Sequence, residues 1–398
     1  MLPPFVTEPY SDFTDASAAS RYRTALATVE RELGMEAPLV IGGDHVTTKA
    51  SIVSVDPSRP ATIVGKASSA DRDHVDSAID AAWGAFRDWS RRTAAERAGM
   101  IHRVGDLIAE RSYEFAAWQT YEAGKNWAEA DVAEAIDFCR YYAHQALRLA
   151  EPVPVEAHPG ETNESWLQPI GAGVVIPPWN FPLAILVGMT VGPVAAGNTV
   201  VLKPASNTPL VGWGFMQVLA EAGMPDGVVN YLPGAGSVVG DALVDHPMTR
   251  FVNFTGSKEI GLRIAERSAQ VTEGQRWLKR SYMEMGGKDA LIVDDTCDLE
   301  AAAVDVVRSA FGFQGQKCSA CSRLIVFASV HDRLVDNVVS VASQLSVGRP
   351  VDNHPIGPVI SASQRASILA EIESGKDHAT LVMGGRAIES DGGYYIEP

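Results

Sequence analysis

The sequence predicts an α/β fold built from two doubly wound parallel-sheet units. Three observations predict it. Short apolar strands alternate with helical segments from about residue 170 to 270, the alternation resumes after about 286, and the first unit opens inside a stretch of 38 residues, 165–202, with no charged side chain or histidine. Strands that alternate with helices need right-handed crossovers and so lie parallel. A parallel strand covered on both faces reads as a continuous apolar run.

The first 150 residues read as mostly helical. Segments 17–33 and 69–149 carry apolar residues at helical spacing, with Asp71, Thr93 and Asp131 as N-caps. Between them, residues 39–46 read as two short strands around the Gly42-Gly43 turn, and 57–60 as a Pro-bounded turn. Residues 152–167 alternate loosely and turn polar, which predicts an excursion away from the domain. The first unit then has strands at 174–176, 200–202, 228–232 and 251–254, and helices at 183–196, 210–222, 238–244 and 260–268. The second unit begins near Glu284, with strands at 290–293, 324–327 and 380–383 and helices at 299–311, 333–345 and 364–372. At 394–398 an apolar strand has just begun with nothing to pair it, so the chain reads as C-terminally truncated relative to its complete fold.

A chain of 398 residues is too long for one ordinary core, and the boundary falls between 1–285 and 286–398, the latter incomplete at its C-terminus. A net charge of −16 argues against nucleic acid or an anionic membrane as a partner. Four cysteines in so long a chain fit free thiols in a reducing compartment, and the N-terminus lacks the basic and apolar regions of a secretory signal; the expected location is cytoplasmic. The uncharged run invites a membrane reading, but Pro177, Pro178, Pro182 and Pro193 cut it into pieces too short to span a bilayer.

The chemistry concentrates in a few turns. Cys318 lies in a Gly- and Gln-rich turn between an apolar helix and a β-branched strand, and Glu284, 34 residues upstream, reads as a buried carboxylate among apolar and glycine residues. A thiol that attacks and a carboxylate that moves protons are the minimum set for covalent acyl chemistry. Asn180 follows the first parallel strand in a Pro-flanked turn, where it is either an oxyanion donor or a turn asparagine. Lys203 ends the uncharged run at a strand terminus, where it serves a ribose or phosphate or is simply solvated. Gly234, Gly236 and Gly240 lie between a strand and a helix. They approximate a dinucleotide fingerprint with one gap a residue too long, or form a plain tight turn. Thr255, Gly256 and Ser257 open another helix and suit a phosphate, or supply only an N-cap. Cys318 and Cys321 form a Cys-x-x-Cys, but no second ligand pair accompanies it, so no metal is expected.

Turn asparagine, strand-end lysine, phosphate turn, glutamate and cysteine, in that order, resemble the aldehyde dehydrogenase superfamily. The motifs are Pro-Trp-Asn180-Phe-Pro, Lys203-Pro-Ala, Phe254-Thr-Gly-Ser, Glu284-Met-Gly-Gly-Lys and Gly-Gln-Lys-Cys318. The resemblance implies a Rossmann-like cofactor domain, a catalytic domain and an oligomerisation hairpin at 148–168, and hence a homo-oligomer. It implies NAD, with NADP possible because Ser206 stands where many members have Glu. It implies Cys318 as nucleophile, Glu284 as the base for hydrolysis and Asn180 as oxyanion donor. The cofactor would lie along Ile176, Pro178, Trp179, Lys203, Ser206, Gly234, Gly236, Gly240, Phe254, Thr255, Gly256, Ser257, Gly261, Met285 and Gly286, and the substrate against Phe181 and Ser319. Three details are similar to the branch that oxidises glutamate γ-semialdehyde to glutamate in proline catabolism: the N-terminal 5–13 segment, the 274–280 insertion and the 315–323 signature. A dehydrogenase of another aldehyde, a cofactor-independent thiol hydrolase and a non-catalytic truncation product are the rival readings.

Overall fold

The computed structural model describes residues 2–398. The N-terminal part contains α1 (Ala16–Glu32), β1 (Met35–Ala37), β2 (Leu39–Ile41), β3 (Asp44–Val46), β4 (Ser51–Asp56) and β5 (Arg59–Ser68). It continues through α2 (Arg72–Trp89), α3 (Ala94–Glu110), α4 (Ser112–Ala123) and α5 (Ala133–Leu149). The central part runs β6 (Ala172–Ile176), α6 (Ala184–Ala195), β7 (Thr199–Leu202), α7 (Pro209–Glu221), β8 (Val229–Tyr231), α8 (Asp241–Asp245), β9 (Phe251–Thr255), α9 (Lys258–Ala269) and β10 (Arg280–Glu284). The last part is β11 (Asp289–Val293), α10 (Leu299–Phe311), β12 (Cys321–Val326), α11 (His331–Ala342), α12 (Ala362–Gly375), β13 (Ala387–Ile388) and β14 (Tyr395–Ile396).

The main sheet has seven strands in the order β10-β9-β6-β7-β8-β2-β3. Its first five strands are mutually parallel. β2 joins β8 antiparallel through Val40↔Tyr231, and β3 folds back on β2, so the sheet is mixed rather than wholly parallel. The hairpin that the Gly-Gly turn predicts therefore closes the far edge of the central sheet. Gly43 has φ +92, and a Cβ there would lie 2.4 Å from the Asp226 carboxyl carbon. The order of the strands reverses at β6, which pairs β7 on one side and β9 on the other. Every residue of β7 is buried, and so are the first four of β6, which is why this part of the chain can do without charge.

Several elements differ from the sequence expectation. A three-stranded sheet, β1-β5-β4, sits within the part read as helical. The sequence assigns no element to residues 280–284. They form β10, paired residue for residue with β9 as the edge of the main sheet. Residues 380–383 form no strand. Leu381 and Met383 instead line a cavity with Phe311, Ile368 and Ile372 of two helices and with Ile396 of β14, and no strand pairs with this run. The second parallel sheet is thus the β11-β12 pair alone. β14 is not unpaired: it forms an antiparallel ladder with β13, Ile388↔Tyr395. Residues 152–167 do leave the body as an exposed excursion, joined by one antiparallel bridge, Val153↔Ser165.

Local signals explain most helix starts. Asp71 and Thr93 close capping boxes with His74 and Glu96. Asp131 does not cap α5 at the N-cap position, which is Val132. It sits one residue earlier, its Oδ1 accepting from Ala133 N at 2.8 Å and its Oδ2 from Ser11 N at 2.9 Å. α7 is capped from a distance. The fully buried Glu122 carboxylate accepts from Leu210 N at 2.8 Å and Val211 N at 2.9 Å, filling donors that Thr208 leaves free. Burial pushes the Glu122 carboxyl up to about 7 against those two hydrogen bonds. Among the described residues no helix is long and apolar enough to cross a membrane.

A carboxyl raised in the folded state binds its proton more tightly there than in the unfolded chain, so its contribution to stability falls as pH rises through that window. Between pH 5 and 8 the wild type should lose on the order of 1–3 kcal/mol more than Glu122→Gln does, in denaturant unfolding. Equal losses in both proteins would count against the assignment.

Candidate active site

The reversal at β6 places the carboxyl ends of β6 and β9 side by side, the position at which doubly wound sheets bind ligands. From β6 the chain enters the Pro177-Pro-Trp-Asn180-Phe181-Pro182 turn, and from β9 it enters the Thr255-Gly256-Ser257 turn. A cavity of about 670 Å³ opens beside them, lined by Cys318, Glu284, Thr255, Phe254, Tyr282 and Met189 among others. Cys318 and Glu284 thus face one cavity although they belong to different sheets. Glu284 is exposed, not buried as its apolar neighbours suggested, because it ends an edge strand with no strand beyond it. Cys318 and Ser319 are exposed in the turn before β12.

The Asn180 side chain reaches the loop that carries Cys318. Its Nδ2 donates to Gln316 O at 2.9 Å, and its Oδ1 accepts from Phe181 N at 3.1 Å. One amide hydrogen remains to serve an oxyanion. The loop before Cys318 is held in an uncommon conformation: Phe313, Gln314 and Gly315 have φ of 49, 56 and 67. Left-handed backbone at a non-glycine residue costs roughly 1–3 kcal/mol and persists where surrounding contacts over-determine it. Those contacts are present. Gln316 Oε1 accepts from Ile360 N at 3.0 Å, and Lys317 pairs with Glu129 at 2.7 Å. Gln314, with its amide set by its hydrogen-bonding neighbours, accepts from Gly357 N at 2.7 Å and donates to Pro358 O at 3.1 Å.

On the other side of the reversal, Lys203 is not a solvated strand end. It is 5% exposed, and its ammonium, with three hydrogens to give, donates to Pro204 O alone, at 3.2 Å. Burial draws its pKa down to about 8. Its stem runs past Gly240, where a Cβ would lie 3.7 Å from Lys203 Cδ and Cε. Gly236 and Gly240 bound one turn of π-helix leading into α8, and a Cβ at Gly236 would meet nothing within 4 Å, leaving bare backbone beside open space. Ser257 is the N-cap of α9, its hydroxyl accepting from Ile260 N at 3.4 Å. Thr255 caps nothing and points its hydroxyl at Met189 Sδ, 3.3 Å away, in the cavity wall. Gly256 N donates to Glu284 O at 3.0 Å, which ties the phosphate-type turn to the candidate base. At Gly261 a Cβ would lie 2.7 Å from Met285 Sδ, so glycine lets Met285 seat against α9.

The structure brings Cys318, Glu284, Phe254 and Thr255 to one cavity and ties Asn180 to its rim. Phe181 and Ser319 are not among the residues lining it. Ile176, Pro178 and Trp179 continue β6 into the Asn180 turn, and Trp179 meets Phe313 edge-on at 6.4 Å between ring centroids. Ser206 is exposed in the loop after Lys203, and Gly286, just beyond Glu284, is exposed too. Sequence reasoning missed the polar groups beneath the loop. Lys125 is 1% exposed, and Glu134, which lines the cavity, is held above its ordinary carboxyl value by burial, with Lys125 opposing. In sequence Lys125 is a lysine just past a helix end, indistinguishable from a solvated one.

Comparison with known proteins bears on this geometry. The Aldehyde dehydrogenase family matches residues 45–398. This chain belongs to that family. A 1-pyrroline-5-carboxylate dehydrogenase of Geobacillus thermodenitrificans is 49% identical over 401 aligned residues, covering 100% of this chain and 78% of the relative. A 1-pyrroline-5-carboxylate dehydrogenase from Thermus, solved with bound NAD, superposes with a TM-score of 0.98 at 48% identity, covering 100% of this chain and 77% of that one. The Δ-pyrroline-5-carboxylate dehydrogenase of Mycobacterium tuberculosis, also bound with NAD, superposes at 0.94 with 30% identity, covering 100% and 75%.

The residues present fit a dinucleotide: a buried ammonium with donors to spare stands beside a turn in which Gly236 leaves backbone uncovered. All four cysteines are free thiols. Burial pushes the Cys139 thiol well up, whereas Cys318 and Cys297 are exposed. Iodoacetamide should modify Cys318 before Cys297, and Cys139 only after denaturation, as read by peptide mass mapping; native labelling of Cys139, or Cys297 first, would contradict this.

Proposed function

We propose that this chain oxidises L-glutamate γ-semialdehyde, the open form of Δ1-pyrroline-5-carboxylate, to L-glutamate, with NAD as acceptor, in the breakdown of proline. The observation that carries the reading is that Cys318 and Glu284 face one cavity and that Asn180 donates to the loop carrying Cys318. Its support from relatives is the 49% identity across the whole chain to a protein of that activity.

In this reading Cys318 Sγ attacks the aldehyde carbon, and the carbonyl electrons move to oxygen. The free Asn180 amide hydrogen and the Cys318 backbone N–H donate to that oxyanion. NAD, when bound, would accept the hydride that leaves the adduct carbon, so that the acyl group remains on Cys318 Sγ as a thioester. Glu284 then takes a proton from water as the water attacks the acyl carbon, and the Cys318 thiolate leaves. Its exposed position at the strand end suits a base that must reach bulk water. Lys203 would hold the adenosine ribose and Thr255, Gly256 and Ser257 the pyrophosphate, with Ile176, Pro178, Trp179 and Phe254 on the β6–β9 side. Gly234, Gly236 and Gly240 would serve the adenine, Ser206 the ribose 2′-hydroxyl, and Gly261, Met285 and Gly286 the rest of the dinucleotide. Ser319 donates to the substrate α-carboxylate and Phe181 flanks its chain. The chain works as a homo-oligomer through the 148–168 excursion, and its four free thiols support residence in the reducing cytoplasm.

The test is NADH formation from NAD and glutamate γ-semialdehyde. Cys318→Ala should abolish it, and an aldehyde lacking the α-carboxylate should be a far poorer substrate. Ester hydrolysis indifferent to NAD, with no NADH, would point to a thiol hydrolase instead. Asn180→Ala should lower kcat about 10²–10³-fold, the usual loss for one oxyanion donor. Glu284→Gln should give a burst of NADH stoichiometric with enzyme and then a slow steady state; loss of the burst itself would remove Glu284 from the hydrolytic step. Lys203→Met should weaken NAD about tenfold, as expected for a charged hydrogen bond, measured by calorimetry.

A further inference from the structure

Lys125 is buried between the two segments that carry the reacting groups. Its Nζ lies 4.3 Å from the centroid of the Phe181 ring and 4.4 Å from that of Phe313. Phe181 follows Asn180 in the turn after β6. Phe313 belongs to the left-handed stretch that leads to Cys318. Both distances are well inside the range of cation–π attraction, which strengthens where water is excluded. The ammonium also donates to Glu129 O at 2.9 Å, and the Glu129 carboxylate pairs with Lys317, the residue before Cys318. Gly312 leaves room for that pair: a Cβ there would lie 3.0 Å from Glu129 Oε1 and 3.3 Å from Lys317 Nζ.

A leucine or methionine would fill this space without desolvating a charge, and replacing buried charge by apolar groups is commonly neutral or stabilising. Burial draws the Lys125 pKa down to about 7, with Glu129 and Glu134 opposing and Lys317 adding to the fall. The fold therefore bears a cost here that packing alone does not require. Phe313 and Gln314 also sit in a conformation that needs outside contacts to hold it.

We propose that Lys125 is a positioning residue for the reaction: its ammonium, seated between the rings of Phe181 and Phe313, locks the turn carrying Asn180 and the loop carrying Cys318 in one register. Its role in turnover rests on the aldehyde-oxidation reading. Its coupling of the two segments does not.

The test uses the full chain with Lys125→Met, Phe313→Leu and the double variant. Each single variant should lower kcat tenfold or more while NAD affinity stays within about twofold, and the double variant should lose little beyond either, as expected for one shared interaction. In Lys125→Met, amide hydrogen exchange should quicken together in 177–183 and 311–317, with β7 and β8 unchanged. A kcat within about twofold of wild type in both single variants, or losses that simply add, would overturn the proposal. Unchanged exchange in both segments would overturn it too. If Lys125→Met does not fold, Phe313→Leu decides by itself: a lowered kcat at unchanged NAD affinity supports the proposal and an unaltered kcat rejects it. Failure of the dehydrogenase reading would appear in the wild type as absent NADH, and the exchange measurement would then decide the coupling without turnover.

Discussion

Strand β6 takes β7 on one side and β9 on the other, and the direction in which the sheet grows reverses there. Right-handed crossovers then send successive connections to opposite faces, so no connection covers the carboxyl ends of these two strands. The Asn180 turn, the Thr255 turn and, one strand further, Lys203 all lie at that uncovered end. β10 adds to β9 in register from Arg280 to Glu284, so the Glu284 carboxylate is delivered to the same end by backbone pairing rather than by a side-chain network. Cys318 comes from elsewhere, on the loop between α10 and β12, and Asn180 bonds that loop directly.

Three buried charges surround this arrangement, each with a different partner. Glu122 is held by two backbone N–H groups at the start of α7, Lys125 by two aromatic rings and a carbonyl, and Lys203 by one carbonyl. The same low dielectric that shifts their pKa values strengthens whatever hydrogen bonds they make. Glu122 is the most completely satisfied and serves the fold. Lys203 is the least satisfied and lies at the carboxyl end of β7 beside Gly240.

Much of the fold was legible in the sequence, because burial on both faces leaves a strong imprint. The strands and helices from β6 to α9, the β2–β3 hairpin and the Asp71 and Thr93 caps were all readable from apolar runs, glycine turns and capping residues. β10 was not. Its residues, Arg-Ser-Tyr-Met-Glu, are mostly exposed at the sheet edge and so carry little apolar signal. β4 and β5 were missed because their exposed positions dilute the alternation. The opposite error occurred at Leu381-Val-Met383, an apolar run that packs into a cavity between helices and β14 without pairing to a strand. A strand is a pairing, and composition alone cannot say whether a partner is there.

By itself the sequence determined the chemistry-bearing residue types, their order and the alternation that makes a doubly wound sheet. These are local properties: hydrophobic period, turn propensity and the nucleophilicity of a thiol. Tertiary structure alone decided which of these residues meet. It put Glu284 on an exposed edge, buried Lys203 and Lys125, and joined Asn180 to a carbonyl 136 positions away. Burial and contact between distant segments depend on how whole elements pack, and no window of sequence contains that information.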